Sequence, residues 1–268
     1  MRSSKRLLNR IRRLGLDMVR PIAVLISSYN RPLHLWASLD SLCRCTRYPH
    51  RFVLLDMASD DPLVPRVIAG FERRGIFSQV IRSPRNHPQE FWKALWSLVA
   101  GGGEFVGHVD GDVVVEDSEP CWLGAFVTLM EQNRKLAMVG PAIDKRDFIS
   151  WENAREIAPD LDKEQLADLI KLKSPERDQD VSQGGARGLV YPHNPPGRLL
   201  LMRCRALARV GAGTDGALDQ KLRDVGYETG IATGVRHRHL SLLNLFDYPD
   251  YDIANRDAFM NSTDAGWN

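Results

Sequence analysis

The sequence Glu104-Phe-Val-Gly-His-Val-Asp-Gly-Asp112 is an apolar run that ends in two aspartates. Its β-branched residues predict a buried strand. Asp110 and Asp112 lie two residues apart, so on an extended chain their carboxylates point to the same side and can converge on one cation. Gly111 lets the backbone turn or approach a ligand closely. The motif by itself favours an ordinary Asp-Gly turn between two strands, and a metal–diphosphate site at the strand end is the hypothesis that the rest of the chain must decide.

Short apolar runs alternate with helical patterns before this stretch. Strands are predicted at Ile22–Ser28, Phe52–Asp56 and Val80–Ile81, and helices after Pro32, over Val64–Phe71 and over Gln89–Ala100. This alternation predicts an α/β fold, a Rossmann-like sandwich with a mostly parallel central sheet flanked by helices. Ligands bind beyond the carboxyl ends of such strands. We therefore expect the acids at three strand ends to gather there, namely Asp56, Asp60/Asp61 and Asp110/Asp112.

The pattern changes after Cys121. Helices are predicted over Trp122–Met130, Lys163–Lys173, Ala206–Val210 and Asp215–Gly226, and strands over Ala137–Pro141, Leu199–Met202 and Val235–Leu240. Residues 144–186 are heavily charged, so we expect a surface excursion there. We expect His108 on the opposite side of its strand from Asp110, and therefore structural. Trp92 and Trp96 lie at helical spacing and are expected in the core rather than on a sugar platform.

Composition bounds the class of protein. Of 268 residues 43% are apolar and 26% charged, as in soluble globular proteins, and a net charge of +2 does not suggest a nucleic-acid binder.

Residues 1–20 hold seven basic residues and one acid in an amphipathic pattern that could lie on an anionic membrane surface; a solvated basic leader is the alternative. Four cysteines favour reduced thiols. No apolar run reaches the ~20 residues of a membrane span, so we expect a cytoplasmic protein, peripheral on the inner membrane face if the leader binds lipid.

Five elements, in this order, resemble family 2 glycosyltransferases, nucleotide-sugar enzymes with the GT-A fold. The matching elements are Tyr29-Asn30-Arg31, Asp56-Met57-Ala58-Ser59-Asp60-Asp61, Asp110-Gly111-Asp112, Thr214-Asp215-Gly216-Ala217-Leu218 with Gly226-Tyr227, and His237 or His239. The resemblance covers residues 21–240. Two positions depart from the family's pattern: Thr214 replaces its Glu, and Met57-Ala58 replaces its Asn-Gly.

The resemblance implies a transferase that moves a sugar from a nucleoside-diphosphate sugar to a glycan, lipid-linked or small-molecule acceptor, with Mn²⁺ or Mg²⁺ as cofactor. A UDP-sugar is favoured as donor and a GDP-sugar is the alternative. The donor would contact Ser28, Tyr29, Asn30, Arg31, Asp56, Asp60, Asn86, Asp110 and Gly111. Asp56 would accept a hydrogen bond from the nucleobase, and Asp110 would bridge the metal and the ribose.

The implied metal ligands are Asp110, Asp112 and one histidine. Counting from Gly226-Tyr227 favours His239, the Val-x-His pattern favours His237, and we expect only one of them to face the site. Asp215, at a helix start, would be the general base of an inverting displacement, contributing about 10²–10⁴-fold. Its alternative role is that of a helix N-terminal acid favoured by the dipole.

The expected organisation is a basic leader (1–20), a nucleotide-sugar-binding half (21–120), an acceptor-binding and catalytic half of the same domain (121–243) and a tail (244–268). Residues 144–198 match no family element, which fits an acceptor-binding region. Three other functions stay open: a retaining transferase on the same fold, a sugar nucleotidyltransferase, and a catalytically silent sugar- or partner-binding module.

Overall fold

A computed structural model describes residues 20–170, 172–173, 188–191 and 197–240. The expected leader, apart from residue 20, and the expected tail lie outside these ranges. No helix in the described part of the chain has both the length and the apolar character needed to cross a bilayer.

The secondary structure alternates as the sequence predicts. The strands are β1 (Ile22–Ser28), β2 (His50–Asp56), β3 (Phe77–Arg82), β4 (Phe105–Asp110), β5 (Val113–Val115), β6 (Leu136–Ile143), β7 (Leu189–Val190), β8 (Leu199–Arg203) and β9 (Glu228–His239). The helices are α1 (Pro32–Cys45), α2 (Val64–Arg73), α3 (Pro88–Val99), α4 (Trp122–Gln132), α5 (Trp151–Ile157), α6 (Lys163–Leu169), α7 (Cys204–Val210) and α8 (Asp215–Asp224). A short 3₁₀ helix covers Lys145–Asp147.

One sheet contains all of these strands. Its order is β3-β2-β1-β4-β8-β6-β9-β5, with β7 paired to β9. The first four strands in this order are parallel, and their register sets Ser28 opposite Asp56 and Ser27 opposite Asp110. Their carboxyl ends therefore meet at one rim. Beyond β4 the sheet is mixed, because β8 runs antiparallel to both β4 and β6.

Helices cover both faces of the sheet. In β1, Val24 and Ile26 face the core formed with α1, α2 and α4, whereas Ala23 and Leu25 face the core formed with α3, α7 and α8. Strands that are buried on both faces read as continuous apolar runs, which is why these strands were visible in the sequence. The predicted α/β sandwich with a central sheet is confirmed.

The excursion expected after residue 144 is only partly at the surface. Its first part packs a small apolar core from Ile149, Ala154, Ala158, Leu166 and Ile170. Asp147 is fully buried. The sequence pattern did not predict this core, because its apolar residues are few and widely spaced among charged ones. Two element bounds also differ from expectation: α6 ends at Leu169, and β9 begins at Glu228 rather than Val235.

Candidate active site

A pocket of about 190 Å³ lies beyond the carboxyl ends of β1 and β4. Its lining residues are Ser27, Ser28, Tyr29, Asn30, Arg31, Met57, Asn86, Asp110, Gly111 and Asp112. Seven of the nine residues predicted to bind the donor are therefore here. The other two, Asp56 and Asp60, are not among the lining residues. Asp56 is buried at the end of β2, where its Oδ1 accepts a hydrogen bond from Ser59 N–H at 3.1 Å, and Asp60 is exposed.

The loops after β1 and β2 are tied together by Asn30. Its Oδ1 accepts hydrogen bonds from the backbone N–H groups of Asp60 (3.0 Å) and Asp61 (3.1 Å). Its own N–H donates to Ser59 Oγ at 2.8 Å. Asn30 and Arg31 both have positive φ, 51° and 56°, a conformation that L residues with side chains seldom adopt. The resulting sharp turn directs the Arg31 guanidinium back towards β4.

Asp112 lies between a guanidinium and an imidazole. Its Oδ2 is 3.1 Å from Arg31 Nη1 and 3.4 Å from His239 Nε2, and its side chain is 18% exposed. Burial raises the pKa of Asp112, but the charges of His239, Arg31 and Arg198 outweigh it and hold the pKa below its ordinary value. Asp112 is therefore a carboxylate at neutral pH.

The two C-terminal histidines lie on the same side of β9, since residues two apart on a strand share a side. The expectation that alternation would let only one of them face the site was therefore wrong in its reasoning. What separates them is their position along the strand: His239 pairs with Val113, next to Asp112, whereas His237 pairs with Val115. Only His239 has a described contact with Asp112.

His237 is fully buried, and its Nδ1 donates a hydrogen bond to the Ala142 carbonyl at 3.1 Å. Burial, with the charges of His239 and Arg198, lowers the pKa of His237 to about 3, so the ring is neutral. The proton on Nδ1 leaves Nε2 as an acceptor, and Nε2 has no hydrogen-bond partner among the described residues. The Nε2 atom of His237 therefore carries a buried lone pair, and the His237 ring interacts electrostatically with His239 and Asp112.

Asp147 was missed by sequence reasoning. Its Oδ2 accepts a hydrogen bond from the His239 backbone N–H at 2.8 Å, and its Oδ1 accepts from Arg238 Nε at 2.9 Å and Nη2 at 2.7 Å. This buried carboxylate therefore holds the end of β9, and with it the His239 ring. A lone Asp within a charged stretch carries no signal that would have identified it.

The expectation that His108 faces away from Asp110 was wrong. His108 Nε2 is 3.2 Å from Asp110 Oδ1 and 3.1 Å from Ser27 Oγ, and Ser27 Oγ donates to Asp110 Oδ1 at 3.1 Å. The two β4 side chains share a side because they are two residues apart, a signal that was present in the sequence. The carboxylate of Asp110 is therefore held by two neighbours.

Gly111 lets the strand end approach β1. A Cβ at this position would lie 3.0 Å from the Ser27 carbonyl oxygen and 3.4 Å from Ser28 Cα. A side chain would press on the backbone of β1, so the close approach depends on glycine.

Arg198 lies next to the rim, and Asp215 begins α8. Arg198 precedes β8, and its carbonyl accepts a hydrogen bond from Asp110 N–H at 2.8 Å. Its charge lowers the pKa of Asp112, and no motif singles Arg198 out in the sequence. Asp215 is the first residue of α8, and its side chain lies outside the described part of the structure.

The donor set fits a divalent cation that shares its ligands with a substrate. In the described ranges, no group of three or more His, Cys, Asp or Glu side chains could by itself hold a metal ion. A carboxylate and an imidazole, with a further buried imidazole nearby, suit Mn²⁺ or Mg²⁺ when phosphate oxygens and water supply the remaining ligands.

Comparison with known proteins agrees with this architecture. No protein-family model and no curated protein matches the sequence. Among solved structures, the chain is similar to the mannosyltransferase PcManGT from Pyrobaculum calidifontis in complex with GDP-Man and Mn²⁺, with a TM-score of 0.55, 17% identity, and coverage of 85% of this chain and 62% of that one. It is also similar to GalNAc-T7 with UDP, GalNAc and Mn²⁺, with a TM-score of 0.58, 13% identity, and coverage of 90% and 51%.

A mycobacterial protein is similar as well, with a TM-score of 0.51, 17% identity, and coverage of 89% of this chain and 74% of that one. The chain spans 62% and 51% of the length of the first two structures. At these identities the likeness concerns the fold, which the resemblance of the sequence predicted. The chain has the GT-A fold of nucleotide-sugar glycosyltransferases.

Proposed function

We propose that the chain is a metal-dependent glycosyltransferase that uses a nucleoside-diphosphate sugar. The observation that carries the proposal is the pocket at the rim, where Asp112 meets the guanidinium of Arg31 and the imidazole of His239. A site for a diphosphate needs positive charge beside a carboxylate that can share a cation with it. The GT-A fold, seen in proteins solved with GDP-Man and with UDP, supports the same reading.

Asp112 and His239 would hold Mn²⁺ or Mg²⁺ together with the donor diphosphate, with Asp110 and the His237 lone pair as further candidates. When bound, the cation would neutralise the charge that grows on the diphosphate as the sugar leaves. The Arg31 guanidinium, which contacts Asp112, would bind phosphate oxygens of the donor.

The remaining donor contacts follow from position. Ser28, Tyr29, Asn30 and Asn86 would line the nucleoside, and Asp110, held by Ser27 and His108, would contact the ribose. Asp56 does not line the pocket but precedes Met57, which does, and we keep it as the candidate acceptor of a hydrogen bond from the nucleobase. Asp60 lies on the exposed loop that Asn30 binds, so it would act through the shape of that loop.

Transfer requires a base for the acceptor hydroxyl, and Asp215 at the start of α8 remains our candidate. In that role it would support a direct displacement that inverts the anomeric carbon. The sugar would pass to a glycan, lipid-linked or small-molecule acceptor. A retaining transferase, a sugar nucleotidyltransferase and a silent binding module are the alternatives. The nucleotidyltransferase is disfavoured because Ser27-Ser28-Tyr29-Asn30 is not the Gly-rich basic loop that grips a triphosphate.

The proposal also divides the chain into a donor half (21–120) and an acceptor half (121–243). It includes a role in surface-polysaccharide assembly, in the cytoplasm at the inner membrane face. The basic leader would supply the attraction to anionic lipid.

The experiment is a thermal-shift panel of UDP, GDP, CMP and dTDP, each with Mn²⁺ or with chelator. A ligand at ~100 times its dissociation constant adds about 2.7 kcal/mol to the free energy of unfolding. We expect one nucleotide, UDP first and GDP second, to raise the melting temperature only with the metal. Transfer from the matching sugar nucleotide then distinguishes a transferase from a silent module. Absence of any metal-dependent shift would contradict the proposal.

A further inference from the structure

A second cavity, of about 250 Å³, adjoins the donor pocket on the α3 side of the sheet. Its lining includes Ser27, Met57 and Asp110, together with residues of α3, of β8 and of the start of α8. The three named residues also line the donor pocket. The two spaces therefore meet at the rim where the sugar would be transferred.

Most side chains that line this cavity are apolar, and the polar ones among the described lining residues cluster at one end. Side chains of α3, β8 and α8 supply the apolar part, and the polar end is the Ser27–His108–Asp110 cluster with contacts of 3.1–3.2 Å. Among the described lining residues, no other has a charged side chain. A polyhydroxylated ligand would need many hydrogen-bonding partners, so these walls suit an apolar body that carries a polar group at one end.

Aromatic rings form one side of the cavity. Trp92 and Phe91 pack edge to face with ring centroids 5.4 Å apart, and Phe91 packs against the His108 ring at 4.7 Å. The three rings, in the order Trp92, Phe91 and His108, run from the apolar end of the cavity to its polar end. Such rings offer flat apolar surface for an aromatic or aliphatic ligand.

The far wall is the first turn of α8. Gly213 and Leu218 line the cavity on either side of Asp215, the candidate base. The Gly213 backbone packs closely here, since a Cβ on it would lie 3.3 Å from Leu218 N and 3.4 Å from Ala217 Cβ. The cavity thus lies between the donor pocket and the helix that carries the candidate base, which is where an acceptor must sit.

We propose that this cavity receives the alkyl or aryl part of an apolar acceptor, with its hydroxyl directed towards the rim. The inference rests on the proposed function and names the acceptor class of the same site. An apolar cavity of about 150 Å³ can hold benzene. The volume here accommodates an aromatic ring with a short chain.

The experiment compares probes that differ in apolar content. Phenyl β-glucoside, benzyl alcohol and methyl β-glucoside are titrated by saturation-transfer NMR, with the protein holding Mn²⁺ and the nucleotide found by thermal shift. We expect phenyl β-glucoside to bind about tenfold or more tightly than methyl β-glucoside, benzyl alcohol to bind detectably, and the bound nucleotide not to be displaced.

Trp92→Ala should abolish the preference for the aryl probes, and Trp92→Phe should retain most of it. Trp96→Ala is the matched control, because Trp96 lies one turn further along α3, 6.0 Å from the Trp92 ring, and is not among the lining residues. Nucleotide shifts should stay unchanged in all three variants, which shows that they fold.

Equal binding of phenyl and methyl glucosides, an equal loss in Trp96→Ala, or displacement of the aryl probe by nucleotide would each overturn the inference and leave the proposed function standing. Absence of nucleotide binding in the unaltered protein would overturn both.

Discussion

The Nε2 atom of His239 lies 3.4 Å from Oδ2 of Asp112, across the antiparallel pair formed by β9 and β5. The Leu240 N–H also donates to the Asp112 carbonyl at 2.9 Å, so the backbone fixes the two residues beside each other. A carboxylate and an imidazole are thereby held at the mouth of the pocket.

Asp112→Asn should abolish metal-dependent nucleotide binding. A neutral amide is a poor ligand for a hard cation and cannot pair with Arg31 as the carboxylate does. We expect Mn²⁺-dependent affinity for the nucleotide to fall by more than about 100-fold in isothermal titration calorimetry. Asp117→Asn is the control, since this exposed acid pairs with Arg47 at 2.6 Å and does not line the pocket. A variant that binds like the unaltered protein would refute the role of Asp112.

Asp147→Asn should weaken metal binding without direct contact with the metal. The buried carboxylate holds the His239 N–H and the Arg238 guanidinium, so an amide would lose one acceptor and loosen the end of β9. We expect about 10–100-fold weaker Mn²⁺ binding, measured by electron paramagnetic resonance of free Mn²⁺. The melting temperature should also fall.

The matched control is Asp219→Asn. Asp219 is another buried carboxylate paired with an arginine, Arg223, at 2.9 Å, and it lines neither cavity. Its substitution should lower the melting temperature and leave Mn²⁺ affinity unchanged. If both variants changed Mn²⁺ affinity alike, Asp147 would have only a general structural role.

Gly111→Ala should displace the backbone at the rim of the donor pocket. The new Cβ would press on the Ser27 carbonyl at 3.0 Å, so either β1 or the turn must move. Overpacking of this kind costs about 1–3 kcal/mol of unfolding free energy, and nucleotide binding should weaken with it. Gly70→Ala is the control. Gly70 lies in α2, and apart from the adjacent residues and the backbone of that helix, no atom lies within 4 Å of the added Cβ. This variant should gain about 0.5–1 kcal/mol in chemical denaturation.

Alkylation of the native protein should begin at Cys43. It is partly exposed, whereas Cys45, Cys121 and Cys204 are buried, and all four are free thiols. Burial raises the pKa of Cys43, with Asp40 adding to the effect and Arg74 opposing it, so the reaction at pH 7.5 should be slow and should accelerate as the pH rises. Peptide mass spectrometry after iodoacetamide treatment measures the order.

Cys204 gives the opposite extreme. Burial raises its pKa to about 11, so little reactive thiolate forms at neutral pH. Cys204 should react only after the protein is unfolded with denaturant. Modification of Cys204 at the same rate as Cys43 in the native protein would contradict this order.

Local patterns determined most of the fold. The continuous apolar run of β1 and the periodicity of α1 and α3 predicted those elements, because burial on both faces of a strand and on one face of a helix leaves a trace in neighbouring residues. The same reasoning placed Asp110 and Asp112 at a strand end. The direction of β8 could not be read in this way, since an apolar strand reads alike in either direction.

The candidate site was decided by tertiary structure. Arg31 and Asp112 are 81 positions apart, and His239 and Asp147 are 92 apart. Nothing local in the sequence links either pair. They meet because the backbone turns sharply at positive φ after β1, and because β9 ends beside the Asp110-Gly111-Asp112 turn. Local sequence patterns predicted most of the strands and helices, although not α5, β5 or β7, and they predicted which acids end a strand. Only the packed sheet decided which cationic groups approach them, since strand order brings distant side chains together through long-range burial rather than through local propensity.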